Sequence, residues 1–279
     1  MRRLNSTLGE QLMNNDKDMT IIKPEISRYA FAMFDVLGFS AWVESTDLQT
    51  ILDAYHTLIE RAVLKPNEKG SLSTVQTPEG VLFAVGGPPH YVYFSDTILL
   101  WCPLIPPAVA DFVERCSDLV CEALAMNIPL RGAITLGDAV LDNETGFFIG
   151  KPIVEAHHLE SGQEWVGLTF GKSAVWSSFL AQLHGTAIIE YAPPMKEKAK
   201  KYSSPIVVDW PRRWRDRNGG ECPSDKLREL NTKPKYAQKW INTIAFAEYS
   251  LKKHDWHLRP HEISEKAILR LVSRKDAAF

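Results

Sequence analysis

The sequence predicts an α+β sandwich of the ferredoxin-like kind, with strands and helices in the order β-α-β-β-α-β. Three observations carry this. From Arg28 to Val36 the run RYAFAMFDV is almost continuously apolar and rich in aromatics, as expected of a strand buried on both faces. Two β-prone runs, Tyr91 to Phe94 and Thr97 to Trp101, flank the polar pair Ser95-Asp96 and read as a hairpin with an aspartate at its tip. Between and after these come two segments with helical spacing: Leu48, Ile51, Leu52, Tyr55, Leu58 and Ile59 in the first, Phe112, Cys116, Leu119, Val120 and Ala123 in the second.

The remaining elements follow in order. Residues 1–27 form an N-terminal arm, polar and aperiodic up to Pro24. The first strand stops at Leu37-Gly38-Phe39, and Thr46 with Gln49 offers a capping box for the first helix. Lys65 to His90 is rich in Gly, Pro, Ser and Thr around Val81 to Val85, which suggests an insertion holding one short strand. The second helix, Ala108 to Met126, leads into a strand from Leu130 to Leu136 and then a glycine-rich break around Gly137 and Gly146. A helix is expected from Gly150 to Glu160, a strand over Trp165 to Thr169, a helix over Lys172 to Leu183, and strands over Ile188 to Tyr191 and Ile206 to Val208. This places a catalytic-size domain at residues 28–210 and a C-terminal helical extension at 211–279, with an amphipathic helix from Tyr236 to Lys253.

With 279 residues, 45% hydrophobic and 24% charged, the chain can bury a full core. Its 32 basic and 34 acidic side chains give a formal charge of -2, so no global field draws it to nucleic acid or an anionic membrane. Polar residues after Met1-Arg2-Arg3 argue against a secretory signal. The most apolar stretch, Tyr91 to Val109, is broken by Asp96, Pro103, Pro106 and Pro107, so no membrane span is expected. Cys102, Cys116, Cys121 and Cys222 lack metal-type spacing and read as thiols of a reducing compartment, here the cytoplasm.

Asp35 ends an apolar strand, where a carboxylate is costly unless something pairs with it. In a fold that lays the hairpin beside that strand, Asp96 converges on it. Hard oxygen ligands of this kind suit Mg²⁺ or Mn²⁺, with substrate phosphates completing the coordination. Gly38 lets the backbone approach phosphates closely, and the amides of Leu37, Gly38 and Phe39 make a candidate anion nest. The competing reading is that each aspartate merely caps a turn.

Four blocks, Phe34-Asp35-Val36-Leu37-Gly38-Phe39, Ser95-Asp96, Arg131 through Gly137 and Gly150 through Glu160, resemble the class III nucleotidyl cyclase catalytic domain, in the same order. The resemblance spans about residues 28 to 210 and implies two divalent metal ions, Mn²⁺ or Mg²⁺, at Asp35, Val36 and Asp96, cyclising a nucleoside triphosphate. It also implies a homodimer with each active site at the interface. At the positions where purine cyclases carry base-reading and transition-state groups, this chain has Val92, Phe147, Val154 and His158. Loss of hydrogen-bonding readers removes the means of selecting ATP or GTP, and bulky Phe147 with Tyr93 narrows the pocket. That profile is similar to the pyrimidine cyclases of bacterial Pycsar antiphage systems, which make cyclic UMP or cyclic CMP as an alarm signal for an effector; UTP is favoured slightly over CTP.

His158, Lys151 and Arg131 are the candidates to replace the missing transition-state arginine, although Arg131 also suits a structural salt bridge and His157 with His158 an ordinary helix surface. The rival readings are a degenerate cyclase fold that senses a nucleotide, a purine cyclase with an unusual pocket, and a polymerase-type palm, for which no basic template groove is visible. Arg212, Arg213, Trp214, Arg215 and Arg217 are diluted by Asp209, Asp216 and Glu221 and read as a solvated loop. His254, His257 and His261 are set aside as metal ligands because Pro260 interrupts their helical spacing.

Overall fold

The computed structural model describes residues 25–64, 73–76, 82–85, 88–175, 188–231 and 234–253. Its strand β1 (Ser27–Val36) is interior in the main sheet, antiparallel to β5 (Thr97–Pro103) on one side and to β6 (Leu130–Asp142) on the other. Beyond β5 lies its hairpin partner β4 (His90–Phe94); beyond β6 come β8 (Leu168–Gly171), β10 (Ser203–Val208) and β9 (Ile188–Glu190). The eight strands include β7 (Phe147–Gly150), which folds back on β6. Helices α1 (Phe39–Ser45) and α2 (Leu48–Ile59) follow β1, and α3 (Pro106–Ala125) joins β5 to β6. The order β4-β5-β1-β6, with these crossovers, is the β-α-β-β-α-β arrangement expected from the sequence. A separate ribbon pairs β2 (Ser73–Gln76) with β3 (Leu82–Val85).

Both faces of β1 are covered, which is why its sequence lacks polar alternation. Ala30, Ala32, Phe34 and Val36 pack with Tyr55 and Leu58 of α2 and Phe112, Cys116 and Leu119 of α3. Phe31 and Met33 face the other way, onto Ala156 and Leu159 of α4 (Lys151–Gly162). Asp35 continues this second row, one step beyond Met33.

The C-terminal helices join the first core. After the one-turn helix α5 (Glu197–Lys200) come α6 (Trp210–Arg217), α7 (Ser224–Leu230) and α8 (Ala237–Lys252). Trp210, Leu227, Trp240 and Phe246 are buried with the sheet's residues. A buried polar lock ties α8 to the end of β10: the Ser250 hydroxyl donates to Asp209, and Arg215 donates to the Ser250 oxygen at 3.1 Å.

Several details differ from the sequence reading. The arginines after Asp209 form a helix rather than a solvated loop, because Arg213 makes a two-pronged bond to Asp118 on α3 at 2.7 and 2.8 Å and Arg217 pairs with Asp118 and Glu122. There is no break at Gly137: β6 runs on to Asp142, and the turn comes at Gly146, whose φ of 72° is left-handed. The cap of α2 is Asp47, which accepts from the Thr50 amide at 2.9 Å, in place of the Thr46 and Gln49 box. The expected Trp165 to Thr169 strand is shifted to Leu168–Gly171, and only the single turn Lys172–Ala174 of the helix expected from Lys172 is described. The N-terminal residues 1–24, residues 176–187 and 254–279, including the three set-aside histidines, lie outside the described residues.

At Gly132 on β6 there is no room for a side chain beside β1. A Cβ there would sit 2.6 Å from Phe34 Cδ1 and 2.7 Å from the Met33 carbonyl oxygen. Gly132→Ala is expected to lower unfolding stability by about 1–3 kcal/mol, measured by urea titration; an unchanged midpoint would contradict this packing.

Candidate active site at the end of strand β1

The last residues of β1 are clamped from both sides. The Val36 amide donates to the Asp96 carbonyl at 2.9 Å and the Leu37 amide to the Pro129 carbonyl at 2.9 Å. Gly38 then turns the chain with φ 85°, a left-handed conformation that glycine adopts without penalty, and α1 begins. On the hairpin side Ser95 has φ 56°, uncommon for a residue with a Cβ. Its carbonyl accepts from the Tyr55 hydroxyl at 3.1 Å, so a buried residue of α2 braces the tip that presents Asp96. Tyr55 is itself stacked on Trp42, with ring centres 6.0 Å apart, and leans against Tyr93. Burial first, then the Asp96 and Asp35 charges, pushes its phenol well above the usual range, which keeps it a donor.

Arg131 lies opposite Asp35 in the β1–β6 register. Its Nε donates to Asp35 at 2.9 Å and its Nη2 lies 2.9 Å from Glu160 on α4. The second contact is off the line of a hydrogen bond, so among the described residues that buried Glu160 oxygen has a counter-charge but no donor. Burial raises the Asp35 carboxyl above its ordinary value, Arg131 opposes this, and the like charge of Asp96 adds to it. Glu160 is pushed up to about 7, chiefly by burial, with Arg131 pulling down and Asp35 pushing up.

Of the residues singled out in the sequence, Asp35, Val36, Leu37, Gly38, Phe39 and Asp96 are brought together here. Tyr93 lies on the helix-covered side of the hairpin against Tyr55, while Val92 packs toward the α4 side. Phe147 and Val154 are 49% and 56% exposed, and His158 is exposed and stacked on Tyr202 with ring centres 4.6 Å apart. These three belong to an outward surface of β7 and α4 and do not meet the Asp35 cluster within one chain. Lys151 and His157 are likewise exposed. Sequence reasoning missed Glu160 and Tyr55 as site residues. Glu160 could have been flagged as a charge at an inward position beside Leu159, whereas Tyr55 was indistinguishable from a core aromatic.

The donor set suits a hard divalent cation. The Asp96 charge is close enough to Asp35 to push its carboxyl further up, and a cation between them would relieve that repulsion. Among the described residues no group of three or more His, Cys, Asp or Glu side chains is arranged to hold a metal; one or two carboxylates plus substrate phosphates is the usual Mg²⁺ set.

No protein-family model matches the chain, and no curated protein matches it by sequence. Solved structures match in part. The chain is similar to a bacterial light-regulated adenylyl cyclase at 10% identity and TM-score 0.40, over 67% of this chain and 92% of that one. It is similar to the guanylate cyclase domain of RhGC from Catenaria anguillulae in complex with GTP at 12% identity and TM-score 0.38, over 61% of this chain and 94% of that one. The guanylyl cyclase Cya2 gives 11% identity and TM-score 0.38, over 57% and 80%. Among the described residues no helix is long and apolar enough to cross a membrane.

The raised Glu160 value sets a pH dependence. Between its ordinary 4.5 and about 7 the folded protein retains a proton that the unfolded chain has lost, so this group makes stability fall as pH rises through that window. In metal-free buffer Glu160→Gln is expected to reduce that fall, leaving the part due to the other raised carboxyls, Asp35 and Asp209. Urea unfolding at several pH values measures it, and a variant with the wild-type slope would show that Glu160 is ionised throughout.

Proposed function

We propose that the protein is a nucleotidyl cyclase that converts a pyrimidine nucleoside triphosphate, UTP before CTP, to its 3′,5′-cyclic monophosphate and pyrophosphate. The observation that carries this is the meeting of Asp35 and Asp96 across the β1 and β4–β5 backbone bond, next to the left-handed Gly38 turn. Asp35, Asp96 and the Val36 backbone would hold two Mn²⁺ or Mg²⁺ ions, which when bound acidify the ribose 3′-OH and neutralise charge on the phosphates. In the cyclisation the 3′-oxygen bonds to the α-phosphorus as the bond to the pyrophosphate oxygen breaks, and the 3′ proton passes to solvent or base. The Leu37 to Phe39 turn orients phosphates. Arg131, already beside Asp35, is placed to move its guanidinium toward developing negative charge.

The pyrimidine assignment rests on side-chain chemistry. Val92 and Val154 offer no hydrogen bond to a base, and Phe147 substitutes bulk for a polar reader. Outward-facing Phe147, Val154 and His158, with Ile149 61% exposed beside them, favour a homodimer in which these residues complete the site of the second copy. His158 would then act on the substrate from across the interface. The product fits a second messenger in antiphage defence, read by a cyclic-nucleotide-binding effector, in the cytoplasm and without nucleic-acid contacts.

A second reading has one observation in its favour. The Arg131–Asp35 pair at 2.9 Å satisfies the carboxylate without a metal, as a nucleotide-sensing module without turnover would require.

Incubation with each of the four ribonucleoside triphosphates and Mn²⁺, with products identified by mass, separates the two. A cyclic pyrimidine nucleotide is expected, and Asp35→Asn or Asp96→Asn should each lower its formation by about two orders of magnitude or more while leaving the fold intact. Cyclic AMP or GMP as the main product would refute the pyrimidine assignment. Nucleotide binding without any product would favour the sensor.

A further inference from the structure

The C-terminal extension reaches the same end of the sheet. The Tyr236 ring, just before α8, lies against the Gly38 turn, with its Cε2 3.8 Å from where a Gly38 Cβ would be. One turn further on, Lys239 is largely enclosed, at 13% side-chain exposure, and donates to the Gln163 carbonyl at 3.0 Å. Arg131 Nη1 donates to that same carbonyl at 3.4 Å. Two cations from distant parts of the chain therefore share one neutral oxygen. The Lys239 carboxylate partner, Glu164 at 3.1 Å, also lies 3.7 Å from Lys196.

Such an arrangement is costly for its own sake. Burial and the nearby Arg131 and Lys196 charges favour loss of the Lys239 proton, against Glu164. A lysine that only held α8 in place would not need the guanidinium beside it, since Asn242 and Thr243 already bond the Glu164 carbonyl and the Val166 amide. Among the described residues Lys239 uses two of its three N–H donors, on the Gln163 carbonyl and the Glu164 carboxylate. An anion with several oxygens would satisfy both cations at once.

We infer that Lys239 is a second polyphosphate-binding cation, acting beside Arg131, so that the C-terminal extension forms part of the substrate site. The inference rests on the cyclase reading for its substrate, a nucleoside triphosphate, and concerns its β- and γ-phosphates. Tyr236 closes the Gly38 turn from above, and Lys239 and Arg131 take the phosphate tail at its side. The extension is then a working wall of the site, contributed within the same chain.

The test is calorimetric titration of the full chain with inorganic tripolyphosphate and Mn²⁺. Lys239→Gln is expected to weaken binding about tenfold and Lys239→Arg to restore most of it. Lys196→Gln, which removes the other Glu164 partner, should bind as wild type does. In wild type, tripolyphosphate should also protect Lys239, but not Lys196, from amine acylation, a readout that requires no variant to fold. Equal binding by Lys239→Gln, or no protection of Lys239, overturns the inference, and if triphosphate turnover is intact the cyclase reading stands. Wild type that binds no tripolyphosphate overturns it as well, and turnover measured separately then decides the reading.

Discussion

The structure turns on one juxtaposition: the backbone bond from Val36 to Asp96 that seats a hairpin tip against the end of the interior strand. It places two carboxylates where neither is fully hydrated, and everything around them offsets that cost. Arg131 supplies positive charge to Asp35 and Glu160, Tyr55 braces the left-handed Ser95, and the flanking apolar rows of β1 fix the strand on both faces. The sheet is rigid where the chemistry needs it, because β1 is paired along its length on both edges. The turn that follows is free to approach a ligand because Gly38 carries no side chain.

Most of the frame was legible in the sequence, for physical reasons. A strand buried on both faces cannot hide its apolar run, and a two-residue polar turn between β-prone segments announces a hairpin. Asp35 stood out because it interrupts such a run. The β6 extension past Gly137 was not legible, since a glycine inside a strand looks the same in sequence as a glycine in a turn. The helix at Trp210–Arg217 was hidden because its stability comes from Asp118 and Glu122, some 95 residues earlier in the chain for the Arg213 pair. No local pattern encodes such a partner.

The candidate site was legible in half. Residues at the end of β1 and at the hairpin tip announced themselves by type and position. Those packed around them, Glu160 and Tyr55, come from two helices and are brought there by the tertiary fold alone. The positions that the sequence reading assigned to the base, Phe147, Val154 and His158, are exposed, so the proposed function needs a second copy of the chain to cover them.

The central claim is that Asp35 and Asp96 are there to share divalent metal. Electron paramagnetic resonance of Mn²⁺ titrated into the protein with a non-cyclisable triphosphate measures this without relying on turnover. The account predicts tight binding of Mn²⁺ that is lost in Asp35→Asn and in Asp96→Asn. Binding that survives both substitutions would contradict it and return the two aspartates to the role of turn residues.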